Sequence, residues 1–152
     1  MDNRLVRTQM LLGEEAMKKL KNSTVAVFGI GGVGGYAAEA IARCGVGKIV
    51  LIDNDTVDIS NLNRQIIALE STVGMAKTEV MKNRIHDINP NIEVVCHNTF
   101  FLPGTTGIIT DALDYVVKKI EIEMNSVTDN PIIFPGKDQK IISGGNFHGE
   151  PM

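Results

Sequence analysis

Only two of the 152 residues are cysteine. Cys44 and Cys96 stand far apart and match neither the spacing of a zinc site nor that of a redox pair. His86, His97 and His148 are equally scattered, so no metal cluster is legible. No apolar run approaches the roughly 18 residues that a membrane-spanning helix needs, and MDNRLVRTQM carries no signal-peptide core. A cytoplasmic chain without membrane contact is the expectation. Basic residues are not in excess either: 15 Lys and Arg against 18 Asp and Glu leave a formal charge of -3. Composition therefore offers no broad basic footprint for nucleic acid. Internal repeats and low-complexity linkers are lacking too. The remaining proportions, 43% hydrophobic and 22% charged, are those of a soluble globular chain long enough for one ordinary core.

The chain opens with Leu11, Leu12, Ala16, Met17 and Leu20, a stripe that predicts one amphipathic helix over residues 8–20. TVAVFGI is a short, nearly unbroken apolar run rich in β-branched residues, as in a buried parallel strand. Gly31, Gly32 and Gly34 then open a helix with Val33, Ala37, Ala40 and Ile41 as apolar positions. Cys44 is expected to pack on its buried face, and Gly45 and Gly47 to end it. KIVLID predicts a second strand, MAKTEVMKNRIHDINP a helix stopped at Asn89 and Pro90, and IEVVCHNTFF a third strand. These crossovers place parallel strands side by side with flanking helices, a Rossmann-like partial α/β sheet. Residues 108–124 favour a helix. NPIIF and KIIS follow as two short strands around PGKDQ, a small hairpin tail.

GIGGVG holds the G-x-G-x-x-G spacing at Gly29, Gly31 and Gly34. Glycines let backbone approach phosphate closely, and amides at a helix N-terminus attract anions. The pattern alone is weak, and a tight turn that merely packs strand on helix would also use it. Its position between a buried strand and an amphipathic helix favours a nucleotide. Asp53 ends the second strand, where a carboxylate accepts ribose hydroxyls. An NAD enzyme would place an acid there as well. Asp55 joins the candidate set, although it and Asp58 equally suit a solvated turn. Asn61, Arg64 and Lys77 discriminate. Cleaving ATP at its α-phosphate builds charge on the phosphoryl group and on departing pyrophosphate, and fixed cations stabilise that charge. Taken singly each cation would be a solvated surface residue. Grouped behind this turn, they point to ATP rather than NAD.

RLVRTQMLLGEE, GIGGVGG, DNDTVDISNLNRQ and GMAKTEVM, in this order and spacing, resemble the ThiF/MoeB/HesA family, bacterial relatives of the ubiquitin-activating enzymes. The likeness covers residues 1 to about 105. NRQIIAL, GMAK and the INP segment are most similar to its tRNA threonylcarbamoyladenosine dehydratase branch. The resemblance implies ATP- and Mg2+-dependent adenylation of a carboxylate, carried on a modified adenosine of tRNA. It also implies that Gly32 contacts ATP, that Asp53 holds the ribose, and that Ser60, Asn61, Leu62, Asn63, Arg64 and Lys77 line the phosphates. Arg7 matches an arginine supplied to a partner subunit's site, so a homodimer is implied.

The family continues with a fourth strand reading approximately DYVVDAID, whose second acid helps hold magnesium, whereas this chain reads DYVVKKIE. Glu121 takes the metal-linked position, but Lys118 and Lys119 beside it disfavour a cation there. The metal ligand is left unassigned. DALDYVVKKIEIEMNSVTDNPIIFPG with ISGGNFHGEPM instead resembles an internal segment of histidine ammonia-lyases. The Ala-Ser-Gly tripeptide that forms the lyase electrophile does not occur, Phe147 alone lands on a substrate-pocket position, and His148 reads as a loop residue. DYVV is common ground, able to end as a strand or begin a helix. The expected organisation is a truncated ATP-binding unit, 1–108, and a lyase-like segment, 109–152, joined between about Gly104 and Val117. Nucleotide binding with impaired turnover is expected. The competing expectations are a non-catalytic chimeric fragment and a lyase fragment lacking its electrophile.

Overall fold

The computed structural model describes residues 3–100 and the backbone of two further strands, 115–119 and 140–144. The strands are β1 (Thr24–Phe28), β2 (Lys48–Ile52), β3 (Glu93–His97), β4 (Tyr115–Lys119) and β5 (Lys140–Gly144). All pairings are parallel, in the order β3-β2-β1-β4-β5. Beside them lie α1 (Val6–Leu12), α2 (Glu14–Asn22), α3 (Gly34–Cys44) and α4 (Lys77–Ile88).

The continuous apolar runs behave as predicted. Val25, Ala26, Val27 and Phe28 of β1 are all buried, as are Ile49 to Ile52 of β2. A central parallel strand is covered on both faces and so carries no polar alternation. On one face Val25, Val27, Ile49 and Leu51 pack with Ala38 and Ala42 of α3 and with Val80, Met81 and Ile85 of α4. The other face holds a smaller cluster of Ala26, Phe28, Val50 and Ile52.

Four expectations are corrected. The helix foreseen over 8–20 is two helices, broken where Gly13 takes φ 82°. A left-handed residue interrupts the ladder, and the face turns with it. Leu11 is 84% exposed, while Ala16, Met17 and Leu20 are half-buried. Cys44 is exposed rather than packed. The buried line of α3 runs through Gly34, Gly35, Ala38 and Ala42, which leaves Ala40 and Cys44 on the outer side. Gly45 does end α3, in the left-handed conformation.

The helix expected over 108–124 is a strand at 115–119, paired with β1 so that Val27 faces Val117. A β-branched pair beside a buried parallel strand gains ladder bonds that local helix preference cannot match. KIIS does form a strand, but β5 pairs in parallel with β4 and not in hairpin fashion. Its expected partner, NPIIF, lies outside the described residues.

An ion cluster joins the two helices of the main core. Glu39 on α3 accepts from Arg84 of α4 at 2.5 Å and from Arg43, one turn along, at 2.8 and 3.0 Å. Its side chain is only 12% exposed. The Arg84 guanidinium, helped by Arg43 and opposed by burial, holds the Glu39 carboxyl below its ordinary value of 4.5. A carboxyl with a lowered folded value stabilises above its unfolded value and loses that contribution as pH falls through the folded one. Glu39→Gln is therefore expected to lower Tm by roughly a few degrees at pH 7, with the difference from wild type shrinking below pH 4.5. Thermal unfolding across pH checks this.

Candidate functional site

A cavity of about 520 Å³ opens at the C-terminal ends of the strands, lined by Phe28 and Gly29 at the end of β1, Ile52 to Asp55 at the end of β2, and Thr99 and Phe100 after β3. In a parallel sheet this end gathers the loops that leave each strand, and ligands bind there. Gly31, Asn61, Arg64, Gln65 and Lys77 complete the wall.

The glycine turn is held from both sides. Gly29 adopts φ 79° and donates to the Ile52 carbonyl at 2.8 Å. The amide of Ile30 donates to Asp53 Oδ2 at 2.5 Å, and the amide of Asp55 donates to Asp53 Oδ1 at 2.8 Å. Asp53 is thus the clasp between the first and second loops, with each oxygen retaining a lone pair for a ligand. Gly34 has a different task. A Cβ there would lie 1.7 Å from the Gly29 carbonyl oxygen, so α3 can start this close to the turn only without a side chain. A Cβ at Gly31 or Gly32 would meet nothing nearer than 3.9 Å. The amides of Gly31, Gly32 and Val33 have no acceptor among the described residues. Such orphan donors at the head of a helix make an anion site.

Residues 58–65 lie across this turn. The amide of Ser60 donates to Asp58 Oδ1 at 2.8 Å, and the amide of Asp58 donates to Asn61 Oδ1 at 3.0 Å. Contact with Ser60 also holds the Asp58 carboxyl below the usual range. Asn61 is buried and pins the loop while facing the cavity. Arg64 reaches back to the Ser60 carbonyl at 2.8 Å and to Asn63 Oδ1 at 3.0 Å. It forms no ion pair among the described residues, so its charge is available to a ligand.

Lys77, at the start of α4, is only 5% exposed. Its Nζ pairs with Asp55 Oδ2 at 2.9 Å and its amide donates to the Asp55 carbonyl at 3.0 Å. A buried ammonium needs such a partner. Among the described residues of the wall, Asp55 and Lys77 offset one another, which leaves Asp53 as a negative charge and Arg64 as a positive charge without an ion-pair partner.

The candidate set is therefore only partly assembled. Gly29, Gly31, Asp53, Asp55, Asn61, Arg64 and Lys77 line one cavity. Gly32, Gly34, Ser60, Leu62 and Asn63 do not; they shape the turn and the loop behind it. Arg7 is exposed on α1 and does not line this chain's cavity. Sequence reasoning passed over Gln65, Asn54, Thr99 and Phe100. Asn54, Thr99 and Phe100 could have been found from their positions past the strand ends. Among the described residues, no group of three His, Cys, Asp or Glu side chains could hold a metal. Asp53 takes one amide on each oxygen and Asp55 pairs with Lys77, and no described carboxylate is assigned to magnesium. Glu121 lies outside the described residues.

The profile of the ThiF family matches residues 3–125, and that of the aromatic amino acid lyases matches residues 101–152. The tRNA threonylcarbamoyladenosine dehydratase of Bacillus subtilis (strain 168) is 54% identical over 112 residues, 73% of this chain and 44% of the relative. A solved structure of the Escherichia coli tRNA N6-threonylcarbamoyladenosine dehydratase in complex with ATP is 44% identical, with a TM-score of 0.73, over 75% of this chain and 47% of that one. Its complex with AMP gives a TM-score of 0.75 over 77% and 48%, at the same 44% identity. The chain thus spans less than half the length of these relatives. A parallel sheet, a glycine turn clasped by the acid after β2 and a buried lysine across the cavity, together with the matched profile, lead to one conclusion: the chain belongs to the ThiF family.

Proposed function

We propose that this chain binds ATP in the cavity and activates a carboxylate by adenylation, its acceptor being the threonylcarbamoyl carboxylate of a tRNA adenosine. The observation that carries the reading is the meeting of Gly31, Asp53, Arg64 and Lys77 on one cavity wall. In the proposed reaction a carboxylate oxygen attacks the α-phosphorus, and the bond to the bridging oxygen of the β-phosphate breaks. Pyrophosphate leaves with that electron pair, giving an acyl adenylate. The carbamoyl group then attacks the activated carbonyl carbon and closes a ring as the bond to AMP breaks; AMP leaves with that electron pair and a carbamoyl N–H proton goes to solvent, a net dehydration. The amides of Gly31 and Gly32 donate to the phosphates, the Asp53 carboxylate accepts from the ribose hydroxyls, and Arg64 and Lys77 stabilise the charge that develops in the transition state. Magnesium would neutralise phosphate charge when bound, and no described residue is assigned to it. Arg7, exposed on α1, would serve the site of a second copy, so the working unit would be a cytoplasmic homodimer. Among the described residues no helix is long and apolar enough to cross a membrane.

The likeness to dehydratase structures holding ATP and AMP supports this reading. Two profiles meeting within one chain favour a second one: units 1–108 and 109–152 of different origin, with nucleotide binding but no turnover. Calorimetric titration with ATP and magnesium, followed by pyrophosphate release on threonylcarbamoylated and unmodified tRNA, separates them. Binding with release only on the modified tRNA is expected. Binding without release on either supports the second reading, and no binding at millimolar ATP sinks both.

A further inference from the structure

We propose that Thr78 is a positioning residue of the cavity, its hydroxyl latching the loop after β3 to the start of α4. Through Asn98 it holds Thr99 and Phe100 in the wall that meets the nucleotide. The inference rests on the nucleotide reading above and concerns a residue that touches no ligand. Thr78 is 0% exposed and does not line the cavity. Its Oγ1 donates to Asn98 Oδ1 on the exposed loop, 20 residues further along the chain. Alternation carried one residue past β3 sends Cys96 and Asn98 to the same side. Cys96 Sγ donates to the Thr78 carbonyl at 3.5 Å. One threonine thus takes hold of both the end of β3 and the loop beyond it.

Packing does not require this hydroxyl. A valine at the second position of α4 would fill similar space without a buried polar group that needs a partner. The bond matters for its other end. Asn98, Thr99 and Phe100 are all exposed, and Phe100 is 65% exposed although it lines the cavity. The carbonyl of His97 still accepts from the Asp53 amide at 3.2 Å, which ties the end of β3 to the sheet. Beyond it, among the described residues, no hydrogen bond except that from Thr78 joins residues 98–100 to the rest of the chain. Thr99 Oγ1 donates only to the neighbouring Phe100 carbonyl, at 3.3 Å. A wall segment left loose must be ordered when the ligand arrives, and that ordering weakens binding. The latch avoids this by fastening the loop to a helix start that is itself fixed, since the amide of Lys77 donates to the Asp55 carbonyl at 3.0 Å.

The test uses the full chain with Thr78→Val, which removes the donor, Thr78→Ser, which keeps it, and Asn98→Ala, which removes the acceptor. A fourth variant combines Thr78→Val with Asn98→Ala. ATP affinity with magnesium is read by calorimetry, beside thermal unfolding without ligand. Thr78→Val and Asn98→Ala are each expected to weaken ATP about fivefold, and the double variant no more than either alone. Thr78→Ser is expected to stay within about twofold of wild type. A Thr78→Val chain that loses Tm but binds ATP like wild type holds a merely structural threonine and overturns the proposal. Losses that add in the double variant, or a loss in Thr78→Ser equal to that in Thr78→Val, overturn it as well. Each of these results leaves the nucleotide reading standing, whereas a wild-type chain that binds no ATP overturns both. If Thr78→Val fails to fold, Asn98→Ala on the exposed loop decides, and unchanged ATP affinity there overturns the proposal.

Discussion

Lys77→Met is expected to cut pyrophosphate release by roughly a hundredfold or more while the protein stays folded. Lys77 is the cation that the fold has desolvated, 5% exposed at the cavity wall, and a charge held in place away from water acts more strongly on a transition state than a solvated one. Methionine preserves the length and the apolar stem, so packing at the start of α4 changes little. The partner left behind is Asp55, whose side chain is 58% exposed and can be hydrated again. The converse variant behaves differently. Asp55→Asn leaves a buried ammonium without its counter-charge and is expected to destabilise the fold more than Lys77→Met does. Release assays on the modified tRNA, set beside denaturant unfolding of both variants, check the pair. A Lys77→Met chain that releases pyrophosphate at the wild-type rate would remove Lys77 from the chemistry.

Gly34→Ala is expected to be the most damaging single methyl in the glycine turn, costing about 3 kcal/mol or more. For a chain of this length that is roughly 10 °C in Tm. The reason is contact with backbone and not with a flexible side chain: the added carbon would sit 1.7 Å from the Gly29 carbonyl oxygen and 2.9 Å from its carbon. Neither group can move without pulling the amide of Gly29 from Ile52 or opening the Asp53 clasp. Gly32→Ala is the contrast, since its nearest neighbour would be the Arg64 carbonyl oxygen at 3.9 Å. That variant is expected to fold like wild type and to show its effect in ATP affinity. Equal Tm values for the two variants would refute this division of labour within the motif.

How far the sequence could be read depended on whether the signal was local. The strand before the turn, the glycines and the acid after the second strand were legible because continuous apolar runs and glycine spacing act within a few residues. The break at Gly13 was missed because an apolar stripe does not report a change of helix axis. The outward position of Cys44 was missed because the small residues Gly35, Ala38 and Ala42, not the larger ones, make the close helix contact. Residues 115–119 were misread because DYVV suits both states, and pairing with β1 decided between them.

The amino-acid order by itself determined that a glycine turn stands between a buried strand and a helix, with an acid at the next strand's end and cations beyond it. Folding decided which of those cations is sheltered and which is open, because Lys77 and Asp55 are 22 residues apart and meet only once α4 returns to the sheet. It also decided that Asp53 clasps two loops, and that the buried Gln65 Oε1 lies beside the turn with no hydrogen-bond partner among the described residues. Such convergence depends on where crossover helices bring distant segments together at the ends of parallel strands, and no spacing along the chain records that.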